Sequence, residues 1–248
     1  MSTQISPAVR SELAPTGTLR VGINLGNFLL VTKDPASGTL SGIVIDLARE
    51  LARRAGFPVE FFTYPGAGAL ADSAASGAWD VAFLGAEPAR ATEIAFTAAY
   101  LEIEATYLVP PGSPIHSVEE VDREGVRIAV AEKSAYDLFL KRSLKHARLV
   151  SAQGIDASYD LFVAQKLDAL AGLKPRLVTD AERLPGSRML EGRFTAIQQA
   201  IGTPRARDAA AGYLREFAEE IKASGLVGQL IGKHRVRGVS VAPEAPVQ

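Results

Sequence analysis

One order of secondary-structure elements occurs twice along the chain, and this repetition constrains the fold more than any other feature. In the first half, a buried strand at 19–23 precedes an amphipathic helix at 44–55. A second strand follows at 59–63, then an alanine-rich helix that ends at Gly77, and then a third strand at 81–84. Strands that alternate with helices in this way pair in parallel, and the helices cover the faces of the sheet.

The second half of the chain repeats this order. Its predicted elements are strands at 126–130, 147–150 and 169–171, a helix that starts at Ser134, and a helix at 155–166. An aspartate introduces the third strand in both halves, so that Trp79-Asp-Val-Ala corresponds to Leu167-Asp-Ala-Leu. The two halves are therefore expected to form two similar βαβαβ units.

Two such units predict an α/β protein with two lobes, each a mixed sheet flanked by helices, joined by two crossing strands. The first crossing is placed at 107–114, where three prolines exclude a helix. The second is placed at 193–202, and a helix at 208–224 then returns to the first lobe. The predicted boundaries are lobe 1 at 18–108 and 203–237, lobe 2 at 109–202, and flexible tails at 1–17 and 238–248.

The composition excludes several classes of function. The 248-residue chain has no cysteine, which removes disulfides and thiolate chemistry. Its formal net charge is −1 without a clustered basic run, which argues against a nucleic-acid partner. The three histidines are scattered and no glycine-rich phosphate loop is present, so we expect neither a metal nor another cofactor. No run of about 18 apolar residues occurs, so we expect no membrane span.

The start of the sequence bears on the compartment. It lacks a basic segment followed by an apolar segment, which is the pattern of a secretory signal. As written, the sequence therefore predicts a cytoplasmic protein, whereas prior removal of a signal would make the protein periplasmic. We also expect a monomer.

The turn after the strand at 81–84 is the first candidate site, because ligands of open α/β sheets bind beyond the carboxyl ends of the strands. This turn reads Gly85-Ala-Glu-Pro-Ala-Arg90 and carries two opposite charges. The planar guanidinium of Arg90 suits a carboxylate, which it can hold with two parallel hydrogen bonds. Glu87 is open to two interpretations, since it either accepts from a ligand amine or pairs with Arg90 inside the protein.

Further candidates follow the other strands. They are Asn24, Asn27 and Phe28 after the first strand, Tyr64 after the second, Gly85 and Ala86 in the turn, and Ser134, Ala135 and Tyr136 at the helix start in the second half. A helix start offers free N–H groups and the positive end of the helix dipole to an anion. Structural alternatives remain for several of them, with Asn27 as a turn former, Tyr136 as a core residue, and Ser134 with Asp137 as a capping box.

From about residue 18 to residue 234 the chain resembles the extracellular solute-binding proteins of family 3, which have the type II periplasmic-binding-protein fold. The segments that carry the resemblance are Gly17-Thr-Leu-Arg-Val-Gly, Gly42-Ile-Val-Ile-Asp-Leu-Ala, Gly77-Ala-Trp-Asp-Val-Ala, Pro88-Ala-Arg90, Phe96-Thr-Ala-Ala-Tyr100, Val126-Arg-Ile-Ala-Val and Lys166-Leu-Asp-Ala-Leu. The resemblance implies two lobes that close on a ligand, usually an amino acid delivered to an ABC transporter. It also implies that Arg90 holds the ligand carboxylate, with a second contact at the Ser134 helix start and Phe28 over the ligand.

Two departures from the family pattern bear on the ligand. The turn before Arg90 is shorter than usual and carries Gly85-Ala86-Glu87 where the family usually has a threonine. The acid that holds the ligand ammonium in family members is replaced here by Leu173. An α-amino acid held in the ordinary way is therefore not expected, and Glu87 is the residue available to replace the missing acid.

The leading hypothesis is a solute-binding protein, not an enzyme, that closes around a small organic anion. The expected ligand is a carboxylate, an amino-acid-like molecule or an aromatic acid, and an ABC-transporter permease is the candidate partner. One alternative is an enzyme similar to cyclohexadienyl dehydratase, in which Glu87 would act as the general acid. The other alternative is a cytoplasmic metabolite sensor on the same fold.

Overall fold

The computed structural model describes residues 5–245, which divide into two compact units. The first unit contains the described residues up to Glu102 and from Gln198 onward, and the second unit spans Ile103–Ile197. The lobe boundaries predicted from the sequence, at 108 and 202, lie a few residues further along the chain.

Helices and strands alternate through both units. In chain order the helices are α1 (Pro7–Leu13), α2 (Ile43–Ala55), α3 (Ala67–Asp72), α4 (Ala135–Ser143), α5 (Ile155–Ala164), α6 (Lys174–Arg183), α7 (Asp208–Ala223) and α8 (Leu226–Lys233). The strands are β1 (Leu19–Asn24), β2 (Thr32–Lys33), β3 (Leu40–Ser41), β4 (Val59–Tyr64), β5 (Val81–Gly85), β6 (Ile94–Val109), β7 (Arg127–Ala131), β8 (Arg148–Ala152), β9 (Ala169–Leu173), β10 (Arg188–Met189), β11 (Thr195–Pro204) and β12 (Val239–Val241). No helix within residues 5–245 has the length and hydrophobicity needed to cross a bilayer.

The sheet of the first unit has the strand order β4-β1-β5-β11-β6, with β12 paired to β6. Strand β1 is parallel to both β4 and β5, whereas β11 runs antiparallel to β5. Asn24 at the end of β1 is in register with Tyr64 at the end of β4, and Ile23 is in register with Phe83. The carboxyl ends of β1, β4 and β5 therefore lie at one edge of this sheet.

The sheet of the second unit has the order β6-β9-β7-β8, and β10 pairs with β6. Strand β7 is parallel to β8 and β9, and β9 is antiparallel to β6. Strands β6 and β11 have residues in both units. Of the two predicted links, 107–114 begins inside β6, and 193–202 falls mostly within β11.

Helix α2 shows how the local sequence sets the structure. Its apolar face is buried against the sheet, and Gly56 ends it in the left-handed conformation with a φ of 73°. Gly42 precedes it with a φ of 123°, and a Cβ at this position would lie 2.3 Å from the carbonyl oxygen of Leu30. Only glycine fits this close approach of two backbone segments.

The segments predicted to be flexible tails, 1–17 and 238–248, contain regular secondary structure where the structure describes them, and their flexibility stays a prediction. Residues 5–17 contain α1, and the Glu12 carboxylate accepts a hydrogen bond from the Ala210 N–H at the start of α7, at 3.0 Å. Residues 238–245 contain β12, and the Pro243 carbonyl accepts from Lys222 Nζ at 2.8 Å. Hydrogen bonds to distant residues, which local periodicity does not reveal, connect both segments to α7. The rest of the prediction, at 1–4 and 246–248, lies outside the described residues.

The duplicated aspartates occupy equivalent positions in the two units. In the first unit, Asp80 accepts hydrogen bonds from the backbone N–H of Arg20 at 3.1 Å and from its guanidinium at 2.7 and 2.9 Å. In the second unit, Asp168 accepts from the backbone N–H of Arg127 at 2.8 Å and from its Nε at 3.2 Å. Asp80 thereby connects the start of β5 to β1, and Asp168 connects the start of β9 to β7. The aspartate that recurs in the sequence therefore forms the same kind of arginine–aspartate ion pair in both units, and we call this ion pair a clamp.

The core of the first unit contains a tyrosine hydroxyl that packing does not explain. The hydroxyl of Tyr100 is buried and has no hydrogen-bond partner among the described residues, while its ring lies edge-to-face with Phe83 at 5.9 Å between ring centroids. Burial raises the pKa of this hydroxyl well above its ordinary value. A buried hydroxyl without a partner lowers stability, because its hydration is lost without compensation.

Replacing Tyr100 with phenylalanine is therefore expected to leave the free energy of unfolding unchanged or to raise it by up to about 1 kcal/mol. Urea unfolding monitored by Trp79 fluorescence measures this change. Tyr136→Phe serves as the matched control, because that hydroxyl is hydrogen-bonded to Ser134 and its loss should cost about 1 kcal/mol, read by circular dichroism. A clear loss of stability in Tyr100→Phe would contradict the assignment of an unsatisfied hydroxyl.

Candidate functional site

The site predicted in the first unit lies at the carboxyl edge of its three parallel strands. Asn24, Tyr64 and Gly85 end β1, β4 and β5, and the Leu25 N–H donates to the Tyr64 carbonyl at 2.9 Å. The structure thus places the ends of these three strands at one edge of the sheet. This is the edge at which open α/β sheets bind ligands.

The turn that follows β5 is held by backbone hydrogen bonds. The N–H groups of Arg90 and Ala91 both donate to the Glu87 carbonyl, at 2.9 and 3.1 Å. The Ala86 N–H donates to the Gln198 carbonyl on β11 at 2.8 Å. These bonds fix the backbone of the turn, so the two charged side chains project from a rigid support.

Arg90 lies inside this turn and not on the surface. The residue is only 6% exposed, and its Nη1 donates to the Gly85 carbonyl at 2.6 Å. Burial lowers the pKa of Arg90 to about 10, against the opposing effect of the nearby Glu87 and Asp72 carboxylates. The guanidinium therefore remains cationic at neutral pH, and it is the kind of group that holds a carboxylate in a poorly hydrated place.

Glu87 is also buried, with 7% of its surface exposed, and its charge acts on Arg90. Both interpretations from the sequence remain open, namely an internal pair with Arg90 and an acceptor for a ligand amine. In either case the turn presents an anion and a cation three positions apart in the chain. A molecule that carries both charges would match this pair better than a simple anion would.

The loop after β1 contains three of the predicted residues in different environments. The Asn24 side chain accepts from the Gly26 N–H at 2.9 Å, which is a local turn hydrogen bond. Asn27 is 9% exposed, and its Oδ1 has no hydrogen-bond partner among the described residues. Phe28 is 39% exposed. The Asn24 side chain is therefore engaged in a hydrogen bond within the loop, whereas the Phe28 ring is accessible to a ligand.

The candidates in the second unit form a separate group at the start of α4. The Ser134 side chain accepts from the Asp137 N–H at 3.1 Å, as predicted for a helix cap. The Asp137 carboxylate accepts from the Lys133 N–H and from Lys141 Nζ, both at 2.7 Å. This acid in the first turn interacts with the positive end of the helix and reduces its attraction for another anion.

Ala135 and Tyr136 are both buried within the second unit. Burial raises the pKa of the Tyr136 hydroxyl to about 12, partly offset by its hydrogen bond to Ser134. These contacts support the core-packing interpretation that the sequence left open for Tyr136.

The sequence did not predict a group of charged residues, one of which lies next to Leu173 in the chain. Leu173 is buried and precedes α6, and the next residue, Lys174, forms an ion pair with Glu104 on β6. Arg193 also donates to the Glu104 carboxylate, at 3.2 Å. A cation therefore follows the position at which family members carry an acid. No local pattern signals this group, because its members are distant in sequence and the strand β6 was not predicted.

Metal ligands are not clustered in the part of the chain that the structure describes. Within residues 5–245, no group of three or more histidine, aspartate or glutamate side chains is arranged to hold a metal ion.

Comparison with known families identifies a match over most of the chain. The family model of the bacterial extracellular solute-binding proteins, family 3, matches residues 19–235. This range includes the duplicated strands and helices of both units and the turn that contains Glu87 and Arg90.

Solved structures with similar folds support the architecture. An L-cysteine solute receptor of Neisseria gonorrhoeae is 20% identical, with a TM-score of 0.76 over 94% of this chain and 96% of that one. An amino-acid ABC transporter substrate-binding protein of Streptococcus pneumoniae bound to L-arginine is 17% identical, with a TM-score of 0.73 over 96% and 100% of the two chains. An ancestral amino acid-binding protein, described as a precursor of cyclohexadienyl dehydratase, is 22% identical, with a TM-score of 0.72 over 90% and 97%.

Proposed function

The chain belongs to the bacterial extracellular solute-binding proteins, family 3, and on this premise we propose that it binds a small amino-acid-like carboxylate. In this proposal Arg90 holds the carboxylate of the ligand, and Glu87 accepts from its amino group. The fold is the type II periplasmic-binding-protein fold. Closure of two lobes on the ligand stays a prediction.

The burial of Glu87 beside Arg90 in a single turn is the observation that supports this proposal. A simple anion on Arg90 would place a second negative charge close to Glu87, and like charges in a poorly hydrated place repel strongly. An amino group on the ligand removes this repulsion and gives Glu87 a charged partner. The two side chains together therefore favour a zwitterion over a keto acid or another simple anion.

The partner proposed for this protein is the permease of an ABC transporter. Solved structures with this fold include substrate-binding proteins of amino-acid ABC transporters, and the family membership makes the same partner the first to test. Such a role would place the protein outside the cytoplasmic membrane. The compartment and the monomeric state stay predictions.

A thermal-shift screen with matched compounds tests the ligand proposal. Each L-amino acid is compared with the 2-keto acid and the amine that share its side chain, for example L-phenylalanine with phenylpyruvate and phenethylamine. The expected result is stabilisation by an amino acid only, of about 2.7 kcal/mol at one hundred times its Kd. Equal stabilisation by the keto acid would show that Glu87 does not receive an amine.

Glu87→Gln sharpens this test, because it removes the charge and keeps the size of the side chain. The variant should lose most of its preference for the amino acid over the keto acid, since the repulsion of a simple anion disappears with the carboxylate. An unchanged preference would exclude Glu87 from the ligand site and favour its interpretation as an internal partner of Arg90.

The dehydratase alternative can be tested with the same protein. It is kept because one neighbour in fold is described as a precursor of cyclohexadienyl dehydratase and because Glu87 is a buried acid. Incubation with prephenate or arogenate should leave both compounds unchanged if the protein only binds. Release of phenylpyruvate or phenylalanine, lost in Glu87→Gln, would establish the enzyme instead.

A further inference from the structure

One side-chain hydrogen bond lies where the chain passes between the two units. Glu102 is the last residue of the first segment of unit 1, and Gln198 is the first residue of its second segment. The Nε2 of Gln198 donates to the Glu102 carboxylate at 2.9 Å, and this bond is partly buried. It therefore joins β6 and β11 at the residues where both strands leave the first unit.

The same glutamine also contacts the turn that contains the candidate site. Its carbonyl accepts from the Ala86 N–H at 2.8 Å, and the next residue, Gln199, is in register with Gly85. The backbone of Gln198 thus supports the segment from which Glu87 and Arg90 project. One residue contacts both crossing strands and the turn.

Deeper in the first unit, the pairing of β6 and β11 is secured independently. There the Ile201 N–H donates to the Thr97 hydroxyl at 3.1 Å, and this bond is buried. Buried hydrogen bonds open less readily than partly exposed ones, so the end of the pair near Gln198 is its softer part. A side chain at this end can change the local spacing of the strands without unfolding the sheet.

We propose that Gln198 is a positioning residue that couples the Gly85–Arg90 turn to the two crossing strands. Its side chain sets the spacing of β6 and β11 where they leave the first unit, and its carbonyl holds the turn in place. A change in the turn on ligand binding is then transmitted to both crossings through this residue. The inference rests on the proposed function for the role of the turn, but the coupling itself is measurable without a ligand.

Hydrogen–deuterium exchange of the ligand-free protein tests this coupling. In Gln198→Ala and in Glu102→Ala, amides at 85–91, 100–103 and 197–200 are expected to exchange up to about tenfold faster, because one hydrogen bond is lost. Glu102→Gln retains an acceptor oxygen and should exchange like the wild type. The double variant should exchange no faster than Gln198→Ala, since that substitution already removes the hydrogen bond that Glu102→Ala removes.

Gln153→Ala is the matched control, because Gln153 also donates its amide to a glutamate, Glu132, on the exposed surface of the second unit. This control should leave exchange at 85–91 unchanged. Faster exchange confined to the substituted peptide, with 85–91 unaffected, would overturn the proposal. So would an equal effect in Glu102→Gln, which would point to a general loss of packing. If Gln198→Ala fails to fold, the test uses Glu102→Ala, which loses the hydrogen bond, and Glu102→Gln, which keeps it.

Failure of the coupling and failure of the proposed function are distinguishable. A turn that responds to Gln198→Ala in a protein that binds no amino acid would support the coupling and reject the ligand. A ligand found in the screen, together with unchanged exchange at 85–91 in Gln198→Ala, would support the proposed function and reject the coupling.

Discussion

Arg90→Ala is expected to weaken binding of the amino acid found in the screen by about 2–5 kcal/mol, which is a loss of about 30-fold or more in affinity. The substitution leaves the ligand carboxylate without its cation in a poorly hydrated place. It also removes the cation whose charge offsets that of Glu87, so the Glu87 carboxylate repels the ligand carboxylate more strongly.

Isothermal titration calorimetry measures this loss, with circular dichroism to confirm that each variant is folded at the temperature used. Arg90→Lys keeps the charge but loses the planar fork, so its affinity should fall between those of the wild type and Arg90→Ala. Arg53→Ala is the control, because it makes the same change in net charge in the same unit on a side chain that is 71% exposed. Unchanged affinity in Arg90→Ala would remove this arginine from the site.

The largest expected effect on stability comes from Asp80. This carboxylate is fully buried and accepts hydrogen bonds from two guanidinium groups, those of Arg20 and Arg207, at 2.7 Å each. Arg207 also donates to the Glu12 carbonyl, so Asp80 indirectly supports the contact between α1 and α7. Removing one member of a buried ionic network leaves the others without a counter-charge.

Asp80→Asn is therefore expected to lower the free energy of unfolding of the first unit by about 3–5 kcal/mol, a large part of the 5–15 kcal/mol of a typical domain. Trp79 is the only tryptophan of the chain and is buried beside Asp80, so its fluorescence during urea unfolding reports on this unit.

The second unit provides the control for this prediction. Asp168→Asn changes the equivalent clamp, whose aspartate side chain is 38% exposed, and should cost less than about 1 kcal/mol. Trp79 fluorescence should not respond to it. Similar losses in the two variants would show that burial does not decide the strength of these clamps.

Much of the fold could be predicted because local patterns and the overall structure agree. The apolar face of α2 and the glycine after it define that helix from sequence alone. The repeated aspartate before β5 and β9 reflects a real repeat of the backbone, since each carboxylate binds the first strand of its unit. Such features can be predicted from sequence because the residues that determine them lie close together in the chain or recur in both halves.

The features that could not be predicted depend on distant contacts. Strand β6 extends into the predicted proline-rich link, because its pairing with β9 holds Tyr107 and Leu108 in extended backbone. Helix α1 contacts α7, almost two hundred residues later in the chain. Local sequence patterns do not indicate which distant residues a segment will contact.

Part of the candidate site could also be proposed from the sequence. Glu87 and Arg90 became candidates because they follow a buried strand and because the family resemblance implies a carboxylate-binding arginine there, and their role in binding stays a prediction. The sequence did not reveal the group of Glu104, Lys174 and Arg193, since its members come from three segments that are far apart in the chain. It also did not reveal that the Asn24 side chain is engaged by its own loop.

The measurement that tests the central claim most directly is a crystal structure of the protein with the amino acid that stabilises it most in the screen. We expect the ligand carboxylate to accept two hydrogen bonds from the Arg90 guanidinium, with N–O distances of about 2.7–2.9 Å. The ligand ammonium should donate to the Glu87 carboxylate. A ligand bound away from both side chains, with Glu87 and Arg90 in contact only with protein atoms, would contradict this account.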